Sequence, residues 1–171
     1  RKVYIPHSQR PEPYDASHNP LNYRILRYAD VLLMYAEVEN ALGDDGQARW
    51  ALNKVRERVE LDPGESDGTA LRDAIRRERR LELALENQRL FDIRRWKNDS
   101  GKSVMSDIMG PNGSFVKYNT EESADPYEVG NQKESSSKGR NFKEERDLVF
   151  PIPTTEITQS NGSIVQNPGY N

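Results

Sequence analysis

Apolar residues recur at helical spacing in three stretches of the chain, and polar, Gly- or Pro-rich segments separate them. In the first stretch, Ile25, Ala29, Leu32 and Ala36 form one stripe, which predicts a helix over 21–42. Asn19 is placed to cap it, with Pro20 at its first helical position. Tyr28, Leu33 and Tyr35 widen the stripe, so burial on two sides is expected. Gly43 sits where a left-handed residue would end the helix. Ala48, Leu52, Val55 and Val59 then predict a second helix over 47–61. The third stretch, 72–97, places Ile75, Leu81 and Leu85 near helical spacing, giving a helix over 70–86 with one apolar side. Asn87 is its pivot, because Asn tolerates the left-handed conformation better than other non-Gly residues. Leu90, Phe91, Ile93 and Trp96 predict a short buried helix after it.

The link Gly43-Asp-Asp-Gly46 is so short that the first two helices must pack antiparallel as a hairpin. In size, and in the small residues at its crossing, the pair is similar to a tetratricopeptide unit. Such units stack on one another, so something outside this chain is expected to cover the open face.

Elsewhere the periodicity fades. Pro6, Pro11, Pro13 and Pro20 make residues 1–20 an extended lead-in. Ser, Gly, Asn, Lys and Glu dominate 98–147, read as a loop-rich insertion. It is expected to hold a short helix near Val104–Met109, a hairpin around Asn112-Gly113, and anchors at Phe115, Tyr118 and Tyr127. Residues 148–171 read as a locking tail: Pro151 and Pro153 keep it extended, Thr154 caps one helical turn, and Pro168-Gly169 signals a type II turn. The fold class is therefore mainly α: a helical hairpin with further helices, 21–97 as the helical core, long irregular loops and an extended C-terminal tail.

Composition narrows the chemistry. Hydrophobic residues make up 34% of the 171, and the 11 Gly bring the apolar share to about 40%, under the usual 45–50%. The core is expected to be lean. A net charge of −3 gives no general attraction to nucleic acid or an anionic membrane. Between 72 and 97 stand nine basic and five acidic residues, a net of +4. Interleaved acids speak against a phosphate-binding face, which needs a patch of one sign. So many Arg beside apolar positions point to charges held between elements. One of Arg77, Arg79 and Arg80 is expected to bond a carboxylate on another element, Asp30 or Glu37 first.

Three candidate chemistries find little support. Gly64-Glu-Ser-Asp-Gly68 matches the nucleophile-elbow pattern, but that turn needs a strand before its serine and Pro63 stands there instead. Glu78, Glu82 and Glu86 repeat at i+4, yet each has Arg neighbours that keep it ionised, so ion-pair scaffolding outweighs acid–base work. His7 and His18 lack further ligands for a metal, and with no Cys there is no thiolate site. Trp96 ends an apolar stripe, which suits a core anchor better than a sugar platform. The Asn-x-Ser triplets at Asn98, Asn112 and Asn161 stand without other signs of glycosylation. No catalytic residue, metal or cofactor is expected. The chain begins at Arg1 without an initiator Met or signal peptide and is read as a fragment or processed product.

Three motifs in order resemble the C-terminal part of the SusD/RagB family. They are Arg27-Tyr-Ala-Asp-Val-Leu-Leu-Met-Tyr-Ala-Glu37, then Arg77-Glu-Arg-Arg-Leu-Glu-Leu-Ala-Leu-Glu86 with Arg89-Leu-Phe-Asp-Ile-Arg-Arg-Trp96, and finally Phe150-Pro-Ile-Pro153 with Gln166-Asn-Pro-Gly-Tyr170. Asn87 stands where that family usually has Gly, and Asp30 where it usually has Glu. The resemblance implies a non-enzymatic outer-membrane lipoprotein, exposed at the cell surface. It implies binding of an oligo- or polysaccharide that passes to a SusC-like TonB-dependent transporter, with membrane attachment only through a lipid anchor outside this chain. The quoted motifs read as fold determinants, so no ligand-binding residue is carried over. The competing reading is a tetratricopeptide-like scaffold that binds a protein or peptide.

Overall fold

The structure is a computed structural model, and it describes residues 8, 10–13, 24–119, 133–138 and 140–170. Seven helices and one pair of strands are assigned there: α1 Tyr28–Leu42, α2 Asp45–Glu57, α3 Gly68–Glu82, α4 Arg89–Arg95, α5 Val104–Met109, β1 Val116–Asn119, β2 Lys133–Lys138, α6 Glu144–Asp147 and α7 Thr154–Gln159. The protein is mainly helical, as its sequence pattern requires. It divides into two compact units, residues 1–89 and 90–171.

In the first unit α1, α2 and α3 close on one core: Leu32, Leu33, Ala36, Ala48, Ala51, Leu52, Val55, Leu71 and Ile75. The small residues Ala36, Ala48 and Ala51 are fully buried, which lets the backbones of α1 and α2 approach closely. Gly43 ends α1 at φ +87, and the Asp44 side chain caps α2 by accepting from the Gln47 N–H at 3.0 Å.

Several helix limits differ from the sequence pattern. α1 starts at Tyr28, not Leu21, because Arg27 is extended (φ −145, ψ 161) and 24–27 are not helical; Asn19 and Pro20 lie outside the described residues. Nor is α1 buried on two sides. Tyr28 is 72% exposed and Ile25 76%. α2 stops at Glu57 and leaves Val59 and Leu61 exposed. α3 ends at Glu82, with Leu85 (φ +65) and Asn87 (φ +61) both left-handed in the turn that follows. Its inner face carries Leu71 and Ile75, then the charged pair Glu78 and Arg79, while Leu81 and Leu85 face solvent.

In the second unit Ile93, Trp96, Ser103 and Phe142 are buried. Leu90 and Phe91 are exposed, so only half of the predicted stripe on α4 is used. The fully buried Ser103 hydroxyl donates to the Ile93 carbonyl at 3.0 Å and accepts from the Met105 N–H at 3.2 Å, so one side chain seals the end of α4 and caps α5. Asn112-Gly113 is a tight turn closed by the Gly113 N–H on the Gly110 carbonyl, not a hairpin. The hairpin strands are β1 and β2, antiparallel, with Val116 opposite Lys138 and Asn119 opposite Lys133. Phe115 lies under the Arg140 guanidinium at 4.5 Å, whereas Tyr127 lies outside the described residues. Pro153 takes the N-cap position of α7, one residue before the expected Thr154.

Candidate functional site

The charged residues of 72–97 build the most constrained constellation in the first unit. Arg79, 3% exposed, donates from Nη1 to Asp30 Oδ1 at 2.8 Å, and its Nε lies 3.5 Å from Glu37. Both carboxylates expected to receive an Arg do so, and from the same guanidinium. Arg77 and Arg80 are exposed on α3. Beside this clasp, Arg27 donates from Nε to Glu86 at 2.6 Å, from Nη1 to Glu82 at 2.6 Å and from Nη2 to the Glu82 carbonyl at 2.6 Å. The hydrogen bond to Glu86 outweighs the cost of burial and, with Glu82, raises the Arg27 pKa above its ordinary value. Arg58 also reaches Glu82, and Arg56 reaches Glu78 at 3.0 Å. Glu78, Glu82 and Glu86 thus serve as anchors for three different arginines, and none is placed opposite another across a cleft.

The second unit is locked in the same manner. Arg94 donates to the Asp147 carbonyl at 2.9 Å and to the Leu148 carbonyl, with its guanidinium 4.6 Å over the Phe150 ring. The Gln166 amide brackets Ile152, accepting from its N–H at 2.8 Å and donating to its carbonyl at 2.9 Å. Asn167 Nδ2 bonds the Phe150 carbonyl at 2.7 Å, and the Tyr170 hydroxyl bonds the Val149 carbonyl at 3.1 Å. The two halves of the last motif therefore pair through side chains that mimic a strand partner. Asp147 carries a pKa lowered to about 2, first by the Arg146 guanidinium and then by the Lys143 N–H. At Glu144 burial opposes ionisation, but the Ser103 N–H and the Ser106 hydroxyl overcome it and lower the pKa.

The candidate chemistries of the sequence resolve plainly. Ser66 lies in a segment with no strand before it, where Asn53 staples Gly64 to α2 from both backbone sides. Its carbonyl accepts from Arg49, which also pairs with Asp67. Trp96 is 6% exposed and therefore a core residue. His7 and His18 lie outside the described residues, among which no group of three or more His, Cys, Asp or Glu could hold a metal. Asn98 uses its side chain to accept from the Ser100 and Lys102 N–H groups.

Two hollows remain. One, of about 630 Å³, lies among Leu52, Leu61, Ala74, Arg77 and Leu81, between α2 and α3. The other, of about 850 Å³, is more polar and lies among Ser106, Asp107, Asn112, Phe142, Lys143 and Glu145. Missed by the sequence reading was the exposed pair Tyr35 and Trp50, edge to face at 6.3 Å. A signal was available at Trp50, an aromatic residue off the apolar stripe of α2, whereas Tyr35 reads as part of the widened stripe of α1.

The chain is similar to known proteins. SusD-like protein P2 of Formosa agariphila is 31% identical over 159 residues, 87% of this chain and 26% of that protein. A crystal structure of a SusD-like protein from Bacteroides fragilis superposes with a TM-score of 0.65 at 33% identity, covering 87% of this chain and 26% of the other. That of a SusD homolog from Bacteroides thetaiotaomicron gives 0.55 at 28% identity, covering 85% and 26%. The chain spans about a quarter of the length of these relatives. The model of the SusD family matches residues 2–170, and with the clasped motifs described above it establishes that this chain belongs to the SusD family.

Proposed function

We propose that the chain is the C-terminal part of a longer cell-surface lipoprotein that binds a nutrient, in the first instance an oligo- or polysaccharide, and delivers it to a SusC-like TonB-dependent transporter in the outer membrane. The single observation that carries this is the family match over residues 2–170, in a chain that spans 26% of a curated relative. The geometry agrees with a supporting role. Its most constrained side chains clasp helices and tail, and the carboxylates of Asp30, Glu78, Glu82 and Glu86 are all engaged by arginines. No catalytic role is assigned to any residue. The attachment in this reading is a lipid anchor elsewhere in the polypeptide; no helix among the described residues is long and apolar enough to cross a membrane.

The peptide-scaffold alternative needs a concave groove between α1 and α2. A hollow lined by described residues of the first unit lies between α2 and α3. Calorimetric titration of the full-length polypeptide against a panel of glycans is the test. Saturable heat with at least one saccharide is expected. Binding of a polypeptide with no saccharide response would overturn the reading.

A further inference from the structure

We propose that the polar hollow of the second unit, beside the turn at 110–113, is a binding site for an uncharged saccharide of about one or two sugar rings. The choice of ligand class rests on the proposed function above; the place of the site rests on the hollow itself. Its volume is about 850 Å³, within the roughly 300–1,000 Å³ of small-molecule sites. The turn Gly110-Pro-Asn-Gly113, which follows α5, lines it together with Phe142 and the start of α6. This frame is fixed in advance. The Gly110 N–H donates to the Ser106 carbonyl at 3.0 Å, and the Ser114 and Phe115 N–H groups return to the Asp107 and Ile108 carbonyls, both at 2.9 Å. The Arg140 and Phe142 N–H groups bond the Gly110 and Met109 carbonyls at 3.1 and 3.3 Å, which ties the segment carrying Lys143 and Glu145 to the turn. Both glycines are obligatory. A Cβ at Gly110 would collide with the Ser106 carbonyl oxygen, and one at Gly113 with that of Ile108.

Part of the lining belongs to the frame. Glu144 accepts from the Ser103 N–H at 3.0 Å and the Ser106 hydroxyl at 2.9 Å, and Asp107 accepts from Asn98. The other polar ends are unengaged. Among the described residues, the side chains of Lys102, Asn112, Lys143 and Glu145 make no hydrogen bond or salt bridge. Asn112 offers both donors and an acceptor, the lysines donate, and Glu145 accepts. Pro111 and Phe142 add apolar surface for the C–H face of a sugar ring. Charge selects the ligand class. Two lysines stand against three carboxylates, so there is no excess of base to hold an anion. Among the described residues no group of three or more His, Cys, Asp or Glu could hold a metal. Mixed donors and acceptors on a rigid frame, with no dominant charge, suit hydroxyl groups, each of which can donate and accept.

The test is calorimetric titration of the full-length polypeptide with neutral disaccharides (maltose, cellobiose and lactose) beside the wider glycan panel. The tightest saccharide is then titrated into Asn112→Ala combined with Glu145→Ala, into Asn112→Trp, and into Glu57→Ala as a control in the first unit. Asn112 and Glu145 are exposed and bond nothing in the frame, so these variants should melt with the natural protein. The double variant should bind at least about tenfold more weakly, and the bulk of Asn112→Trp should abolish saturable heat, with Glu57→Ala unchanged. An unchanged Kd in both site variants overturns the site and leaves the proposed function standing. Saturable binding of calcium chloride or inorganic phosphate that the double variant abolishes overturns the ligand class. A natural polypeptide that responds to no saccharide sinks the proposed function, and this inference falls with it.

Discussion

Arg79 and Asp30, 49 residues apart, share a 2.8 Å hydrogen bond with 3% and 7% of their side chains exposed. The bond ties the last turns of α3 to the first turn of α1, whose positive end further favours the carboxylate. Arg79→Ala strands Asp30 in the interior and is expected to lower the unfolding free energy by about 3–5 kcal/mol. Arg80→Ala, on the exposed side of α3, should stay within about 0.5 kcal/mol. Arg79→Met combined with Asp30→Leu should recover much of the loss, because no buried charge is left uncompensated. Equilibrium urea unfolding measures all three. Equal effects of the two alanine variants would show that the pair has no special weight.

Arg27 makes a different demand on its partners. Its planar fork places Nε and Nη2 on Glu86 at 2.6 and 3.0 Å while reaching both the side chain and the carbonyl of Glu82. A lysine keeps the charge but concentrates it at one point and cannot make these bonds together. Arg27→Lys is expected to cost about 1–3 kcal/mol in the same unfolding assay. It should also speed amide hydrogen exchange at Asp30 and Val31, whose N–H groups bond the Arg27 carbonyl. A charge-only role for Arg27 predicts no change in either measurement.

What could be read from the chain alone was what local spacing controls. The α1–α2 hairpin follows from apolar period and a short link, and α5 follows from a capping Ser103 before Val104. The Arg79 clasp was legible too, since a base in an apolar face needs a carboxylate. The start of α1 was not, because Arg27 is held extended by groups 55 and 59 residues away. Likewise the end of α3 is set by where Glu82 must stand to meet Arg27 and Arg58, which overrides the apolar spacing of Leu81 and Leu85. The strand pair escaped notice because Lys133-Glu-Ser-Ser-Ser-Lys138 has no alternating apolar face. The family resemblance supplied no ligand residue; Trp50 lies outside the α2 stripe, and Tyr35, which widens the α1 stripe in sequence, is exposed against it rather than buried.

Asp147 gives the tail a defined acid sensitivity. Its folded pKa of about 2 lies below its ordinary 3.8, held there first by Arg146. A depressed carboxylate contributes stability that is fully present above the unfolded pKa and disappears as pH falls through the folded one. Stability of the second unit should therefore decline between about pH 4 and pH 2. The difference between the natural chain and Asp147→Asn isolates this group from Glu144, whose pKa is lowered as well. That difference should be constant above about pH 5 and shrink on acidification. A pH-independent difference in urea midpoint would show that Asp147 acts through shape and not through charge.

Leu85 and Asn87 are the strained points of the turn between α3 and α4, at φ +65 and +61. A branched aliphatic residue held left-handed costs roughly 1–2 kcal/mol through the clash of its Cβ with the carbonyl. Leu85 is 78% exposed, so its side chain returns little by packing. Leu85→Gly removes the clash but adds about 0.5–1 kcal/mol of unfolded-chain entropy, which leaves a net gain of up to about 1.5 kcal/mol. Leu85→Asn should gain a similar amount without the entropic penalty. Asn87→Gly should be close to neutral, because Asn already tolerates this conformation at small cost. Leu85→Val tests the sign in the other direction: β-branching worsens the same clash and is expected to destabilise. If Val is tolerated as well as Gly, the turn does not hold residue 85 left-handed in solution, and the strain assigned to it is absent.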